Sequence, residues 1–123
     1  EIRNRIKHLP KFFHVNWFRK TPEGEWLWPG YGENMRVLRW IVDRCHGRIR
    51  AQESRIGWVP GIDEFDIEGM DGFTKEDFEK VMAFNLDEWR AEVLSQGELF
   101  LSLYDQMPVE LVNQRELLTA RLF

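Results

Sequence analysis

The tetrapeptide Pro29-Gly30-Tyr31-Gly32 can extend neither a strand nor a helix, so the chain must change secondary structure there. Before it, Phe12-Phe13-His14-Val15-Asn16-Trp17-Phe18 is β-prone, with Val15 flanked by aromatics. Thr21-Pro22-Glu23-Gly24 then supplies turn residues, and Glu25-Trp26-Leu27-Trp28 is a second extended run; together they predict a hairpin over residues 12–28. Such a ribbon is marginal alone and needs a sheet or helices to lean on. After the break, Val37, Leu38, Ile41, Val42 and Cys45 share one helical face. They predict a helix over 34–46, with Asn34 as its N-cap and Gly47 as its stop.

Residues 48–73 show no strong period and read as a connecting loop punctuated by Pro60, Gly61, Gly69 and Gly72. Beyond them, Thr74 with Asp77 resembles a capping box, and Phe73 stands where it can staple onto Phe78. The helix predicted there, 74–84, turns Phe78, Val81 and Met82 inward. Asn85 with Glu88 opens a longer helix, 86–106, which offers Leu86, Trp89, Val93, Phe100 and Tyr104. Pro108 begins a last helix, 108–122, bearing Leu111, Leu118 and Leu122. The expected fold class is therefore α+β: a short β-hairpin followed by about four helices.

The 123 residues fit one small domain or a piece of a larger one. With 43% hydrophobic and 14% aromatic residues the composition excludes a disordered chain. No apolar run approaches the roughly eighteen residues that a membrane span needs, so no membrane partner is expected. Glu1-Ile2-Arg3-Asn4-Arg5 carries neither an initiator Met nor a signal-peptide pattern, and reads as the start of a segment cut from something longer. The single Cys45 cannot form an internal disulfide and suits a reducing, cytoplasmic setting. Charge is divided: residues 1–59 hold 12 Lys/Arg against 6 Asp/Glu, and residues 60–123 hold 5 against 15. The basic, aromatic half suits an anionic or planar ligand. The acidic half reads as a solvated helical surface. Nucleic acid is not an expected partner.

Chemistry concentrates between Asn16 and Asn34, where Trp17, Phe18, Trp26, Trp28 and Tyr31 interleave with glycines. Aromatic faces stack on planar bases for about 1–3 kcal/mol per base. Glycines let backbone amides approach a ligand, and an Asn side chain offers both donor and acceptor to a purine edge. By composition alone, core packing is the commoner use of such residues, and Trp28, Trp40 and Trp89 read as core in either case. His8, His14 and His46 lack metal-ligand spacing, and Cys45 has no activating partner in sequence. No Gly-x-x-x-x-Gly-Lys-[Ser/Thr] phosphate loop occurs, and nothing assembles into a nucleophile–base pair.

The run His14-Val15-Asn16-Trp17-Phe18-Arg19-Lys20, then Leu27-Trp28-Pro29-Gly30-Tyr31-Gly32-Glu33-Asn34 and Arg36-Val37-Leu38-x-Trp40-Ile41, resembles the guanine-binding region of GTP-dependent phosphoenolpyruvate carboxykinases. The resemblance continues through Ile56-Gly57-Trp58-Val59-Pro60 to the last Leu-rich helix. It implies the C-terminal piece of a mixed α/β nucleotide-binding domain: a guanine-pocket region at 1–47, a connecting loop at 48–73 and a helical tail at 74–123. The implied enzyme converts oxaloacetate and GTP to phosphoenolpyruvate, carbon dioxide and GDP in gluconeogenesis, using manganese and magnesium. It further implies that Phe18 and Tyr31 sandwich the guanine, with Trp26 lining the pocket and Trp17 close to the base. Asn34 would bond the base edge, and the backbone of Tyr31, Gly32, Glu33 and Asn34 would contact it too. The family usually has Phe where this chain has Trp26 and Tyr31, and both replacements keep a stacking face. Its phosphate loop, metal ligands and substrate arginines precede this segment, so no catalytic or metal-binding residue is expected here and the isolated chain should be inactive. The expected partners are a guanine nucleotide and the remainder of the parent enzyme. The competing readings are an independent protein-interaction domain with no nucleotide role and, more weakly, a sugar-binding surface.

Overall fold

The computed structural model describes residues 7–123, so the first six residues of the expected 1–47 region lie outside it. It comprises two compact units. The first runs to Ala51 and resumes over Pro60–Met82; the second combines Gln52–Val59 with Ala83–Phe123. No helix among the described residues is long and apolar enough to cross a membrane.

In the first unit, a 3-10 turn at Tyr31–Glu33 leads into α1, Asn34–Cys45. A second 3-10 turn, Ile62–Glu64, precedes α2 at Lys75–Met82. Their common core is aromatic: Trp28, Trp40, Phe65, Met70 and Phe78 are buried, with Phe13, Trp17 and Phe73 packed against them. Edge-to-face geometry dominates, as ring quadrupoles favour. Trp28 meets Phe65 at 6.2 Å and 77°, and Phe73 at 5.8 Å and 70°.

Helix ends follow their sequence signals with one exception. At the C-terminus of α1, Gly47 takes φ 70°, while its N–H donates to the Arg44 carbonyl and the Arg48 N–H to that of Asp43. That pair of bonds is a Schellman motif, and the left-handed φ is why glycine stands there. Lys11 adds a further cap, its Nζ donating to the Arg44 and Cys45 carbonyls at 3.0 and 3.3 Å. The capping box on α2 is complete: Asp77 N–H donates to Thr74 Oγ1, and Thr74 N–H to Asp77 Oδ2. Phe73 and Phe78 meet in the same core, as the staple required. The exception is the start of α1. Glu33 holds the N-cap position there, and Asn34 is already helical because its side chain is engaged elsewhere.

The stripe that α1 buries is also shifted by one position. Trp40 is buried, with Val37 and Ile41 packed beside it, whereas Leu38, Val42 and Cys45 are exposed. The bulky indole wins the core-facing position, since it removes the most apolar area from water.

The one sheet among the described residues lies in the second unit. β1 (Gln52–Ser54) and β2 (Gly57–Val59) form an antiparallel hairpin with Glu53 opposite Trp58. The fold class is thus α+β, but the hairpin falls within the expected connecting loop rather than at residues 12–28. Those residues form no strand, with turns at Trp17-Phe18 and Pro22-Glu23, although exposure alternates from Phe12 to Lys20. Their only pairing among the described residues is an isolated bridge between Lys20 and Trp26, closed by Leu27 N–H to Arg19 O at 3.0 Å. α3 (Leu86–Leu103) and α4 (Val109–Leu122) complete the second unit. Asn85 Oδ1 caps α3 by accepting from Asp87 and Glu88 N–H. Val93 and Leu122 are 0% exposed, and Arg115 ties the two helices by donating to the Val93 carbonyl at 2.9 Å. Two expected inward residues, Tyr104 and Leu111, are exposed instead. Tyr104 begins a 3-10 turn that breaks the helical phase, and the pair's seam closes around Val93 and Leu122 without Leu111.

The capping box predicts a pH response. Lys80, bonded at 2.8 Å, and then the Thr74 N–H and hydroxyl hold the Asp77 carboxyl down at about 2, from an ordinary 3.8. A folded-state pKa below the unfolded one stabilises α2 fully above pH 3.8, and that contribution disappears as pH falls towards 2. A carbon-13 NMR titration should place the Asp77 midpoint near 2; a midpoint at 3.8 would mean the box is open.

Candidate functional site

The segment from Trp17 to Trp28, the Pro29-Gly30 corner and the start of α1 enclose an open cleft of about 690 Å³ in the first unit. Trp17, Phe18, Glu25, Trp26, Trp28, Pro29, Gly30, Tyr31 and Asn34 line it. Its fold depends on local backbone chemistry. Gly30 has φ 123°, a conformation other residues avoid, and its carbonyl accepts from the Glu33 N–H to close the 3-10 turn. An Asx turn sets the other wall, with Asn16 Oδ1 accepting from the Phe18 N–H at 2.9 Å. Arg19 Nη1 donates to the Val81 carbonyl at 2.8 Å, which fixes the segment beside Phe18 to the end of α2 and satisfies a terminal helix carbonyl.

Two rings at the cleft are largely bare: Tyr31 is 91% exposed and Phe18 74%. Trp26, 55% exposed, meets Phe18 edge-on at 6.0 Å and carries the Lys20 ammonium over its ring at 4.0 Å. That cation–π contact holds the indole in place. Trp17 is half-buried against Trp28 at 5.8 Å, so it belongs to core and cleft together. Trp28 joins the two. Its ring is buried, and its Nε1 donates to Asn34 Oδ1 at 2.8 Å. An indole N–H is only a donor, so the atom facing it must be the Asn oxygen, and the amino group Nδ2 keeps its donors for something else.

Of the seven expected site residues, Trp17, Phe18, Trp26, Tyr31 and Asn34 line the cleft. Gly32 and Glu33 do not. Gly32 sits on the exposed turn, with nothing within 4 Å of where a Cβ would stand. The Glu33 carboxylate turns to Arg36, which it meets at 2.5 Å. Glu25, Trp28, Pro29 and Gly30 are additional lining residues. Trp28 had read as core alone; only its N–H, which hydrophobic patterning ignores, could have signalled the second role. No group of three or more His, Cys, Asp or Glu among the described residues is placed to hold a metal ion, so the manganese and magnesium implied by the resemblance have no fitting donor set here.

With this geometry in view, the comparisons with known proteins are specific. Residues 1–121 match the family described as phosphoenolpyruvate carboxykinase C-terminal P-loop domain. The chain belongs to the GTP-dependent phosphoenolpyruvate carboxykinase family. Among its relatives, the phosphoenolpyruvate carboxykinase [GTP] of Anaeromyxobacter sp. (strain K) is 46% identical over 121 residues, covering 98% of this chain and 20% of the relative. That of Paenarthrobacter aurescens (strain TC1) is 40% identical over 116 residues, covering 94% of this chain and 19% of the relative. The Treponema pallidum (strain Nichols) protein is 40% identical over 119 residues, covering 96% and 19%. The chain thus spans about a fifth of the length of the curated relatives it matches.

The Trp28–Asn34 bond yields a test. Trp28→Phe keeps a core ring but removes the N–H, and should destabilise the protein by about 1 kcal/mol beyond its lost ring area, read by urea denaturation. An Asn34→Ala background should erase that extra loss, since the acceptor is already gone.

Proposed function

We propose that this chain is the guanine-binding, C-terminal portion of a GTP-dependent phosphoenolpyruvate carboxykinase, a carboxy-lyase that turns oxaloacetate and GTP into phosphoenolpyruvate, carbon dioxide and GDP in gluconeogenesis. The convergence of Trp17, Phe18, Trp26, Tyr31 and Asn34 on one cleft, in a chain of this family, carries the reading. Phe18 and Tyr31 supply faces for the base, while Trp26 and Trp17 wall its edges. Selection rests on Asn34. With Oδ1 committed to Trp28, its Nδ2 presents donors, which suit the O6 acceptor of guanine and oppose the 6-amino donor of adenine. In this reading the backbone of Tyr31, Gly32, Glu33 and Asn34 adds further contacts to the base.

Phosphoryl transfer needs cations placed around the moving phosphate. The sequence carries no phosphate loop and the described residues no fitting metal set, so in this reading the rest of the parent enzyme supplies the chemistry, manganese and magnesium, in the cytoplasm. No nucleic acid or membrane takes part. The isolated chain, given GTP, manganese and oxaloacetate, should release no phosphoenolpyruvate above background in a coupled assay; turnover would overturn this division of labour.

Base recognition is tested in the full-length enzyme. Tyr31→Ala should weaken guanosine and adenosine nucleotides alike, by about 1–3 kcal/mol, because every base offers a π-face. Asn34→Ala should weaken guanosine nucleotides selectively, by about 1–3 kcal/mol, because a base edge loses its partner. Calorimetric titration with GDP and ADP reads both, with melting temperature as the folding control. Equal losses for the two nucleotides in Asn34→Ala would show that this side chain does not read the base.

A further inference from the structure

We propose that Arg36 is a positioning residue for nucleotide recognition: its guanidinium clamps the Tyr31–Glu33 turn to the Asp66 loop and thereby fixes where Tyr31 presents its ring. The proposal rests on the guanine-binding reading given above. Neither the 3-10 turn nor α1 has a side-chain N-cap bond. Two backbone bonds close the turn, Glu33 N–H to Gly30 O at 3.2 Å and Asn34 N–H to Tyr31 O. Tyr31 itself is almost wholly exposed and Gly32 is exposed beside it, so core packing does not hold this corner. Arg36 does. Its Nε bonds Glu33 Oε2, while Nη1 donates to the Asp66 carbonyl at 3.2 Å and lies 3.3 Å from Asp66 Oδ1.

The geometry selects arginine. A planar fork can engage two partners on two segments at once, whereas a lysine ammonium is a single point charge. The guanidinium is mostly shielded, with 23% of its side chain exposed. Its Asp66 partner is itself braced, since Asp66 accepts from Arg39 Nη1 at 3.2 Å and from the Glu68 N–H at 3.1 Å. The clamp thus joins the turn that bears Tyr31 to a loop lying beyond α1. None of its members lines the cleft. Its effect on binding is therefore preorganisation: a turn already held in the bound geometry loses less freedom when the base arrives.

The test uses the full-length enzyme with GDP as the probe. Arg36→Met, Tyr31→Ala and the double variant are titrated by calorimetry, with melting temperature measured in parallel. Arg36→Met is expected to raise the GDP Kd on the order of tenfold, with Arg36→Lys in between. The losses of Arg36→Met and Tyr31→Ala should not add, because without the Tyr31 ring there is nothing left to position. A purely structural role would move the melting temperature and leave the two losses additive, and that overturns the proposal. Wild-type GDP affinity in Arg36→Met beside weakened Tyr31→Ala overturns it too, while the guanine-binding reading stands. Wild-type affinity in Tyr31→Ala overturns the reading and the proposal together. If Arg36→Met fails to fold, Glu33→Met, which has no acceptor for Arg36 Nε, opens only the turn-side arm; a raised Kd supports the clamp, and an unchanged Kd sinks it.

Discussion

The side chain of Trp28 is where fold and site become one structure. Its ring meets Trp17, Phe65 and Phe73 in the core of the first unit, and its only polar atom bonds Asn34 at the first residue of α1. Burying an indole without a partner for its N–H leaves a donor unsatisfied, at about 1–3 kcal/mol. The Asn34 oxygen removes that cost, and in exchange the amide is oriented. Packing therefore dictates which hydrogen-bonding group the cleft receives. Asn34 does not act as the helix cap that its position suggested: its backbone is already helical, at φ -60° and ψ -29°, and its oxygen is turned to the indole rather than to the helix amides.

The aromatic residues of the first unit separate into those that hold and those that wait. Trp28, Trp40, Phe65 and Phe78 are buried and make the unit compact. Phe18 and Tyr31 stay bare although each is large and apolar. Single exposed apolar residues are ordinary on a protein surface. A cluster of them around one concavity, each fixed by an Asx turn, a cation–π contact or a clamped 3-10 turn, is not ordinary. These aromatic faces stay available for stacking because backbone and polar contacts, rather than their own burial, hold them in position. Trp17 lies between the two groups and shares its faces with both.

The helices were legible because their signals are local. Thr74 with Asp77, Asn85 ahead of Asp87 and Glu88, and Gly47 after Cys45 each satisfy helix-end groups within a few residues, so the sequence window contains the whole interaction. The hairpin was not legible. Its strands are three residues each, too short for alternation to show, and its turn residues Arg55 and Ile56 carry no Asn-Gly signal. Gly57, at φ 140°, supplies the conformational freedom instead. Residues 12–20 show the converse: their β-prone composition was visible and their exposure does alternate, but pairing is a property of a partner that the segment's own sequence does not contain. The cleft's aromatic members were legible as a cluster, and Trp17, Phe18, Trp26 and Tyr31 do line one concavity, whereas ring identity alone does not separate a ligand face from core. The Glu33 side chain, expected to take part through its backbone alone, pairs with Arg36, and the Asp66 loop that Arg36 also meets becomes its neighbour only in three dimensions.

The division of charge along the sequence changes meaning once the chain is folded. The first half is basic, which read as an attraction for anions. In the structure, however, the compact unit that bears the cleft also recruits residues 60–82, and its residues then number 13 Lys/Arg and 13 Asp/Glu. Many of the cations have structural partners. Lys11 closes the end of α1, Arg19 holds the end of α2, Lys20 lies over Trp26, and Arg36 and Arg39 meet Asp66. A neutral unit whose cations are so occupied generates little long-range field to gather phosphates, and pairs at this range are screened by salt besides. What the cleft does offer is ring faces and one oriented amide, which are short-ranged and indifferent to net charge. In the proposed reading, such a cleft meets the base end of a nucleotide and leaves its phosphate end to other groups of the parent enzyme.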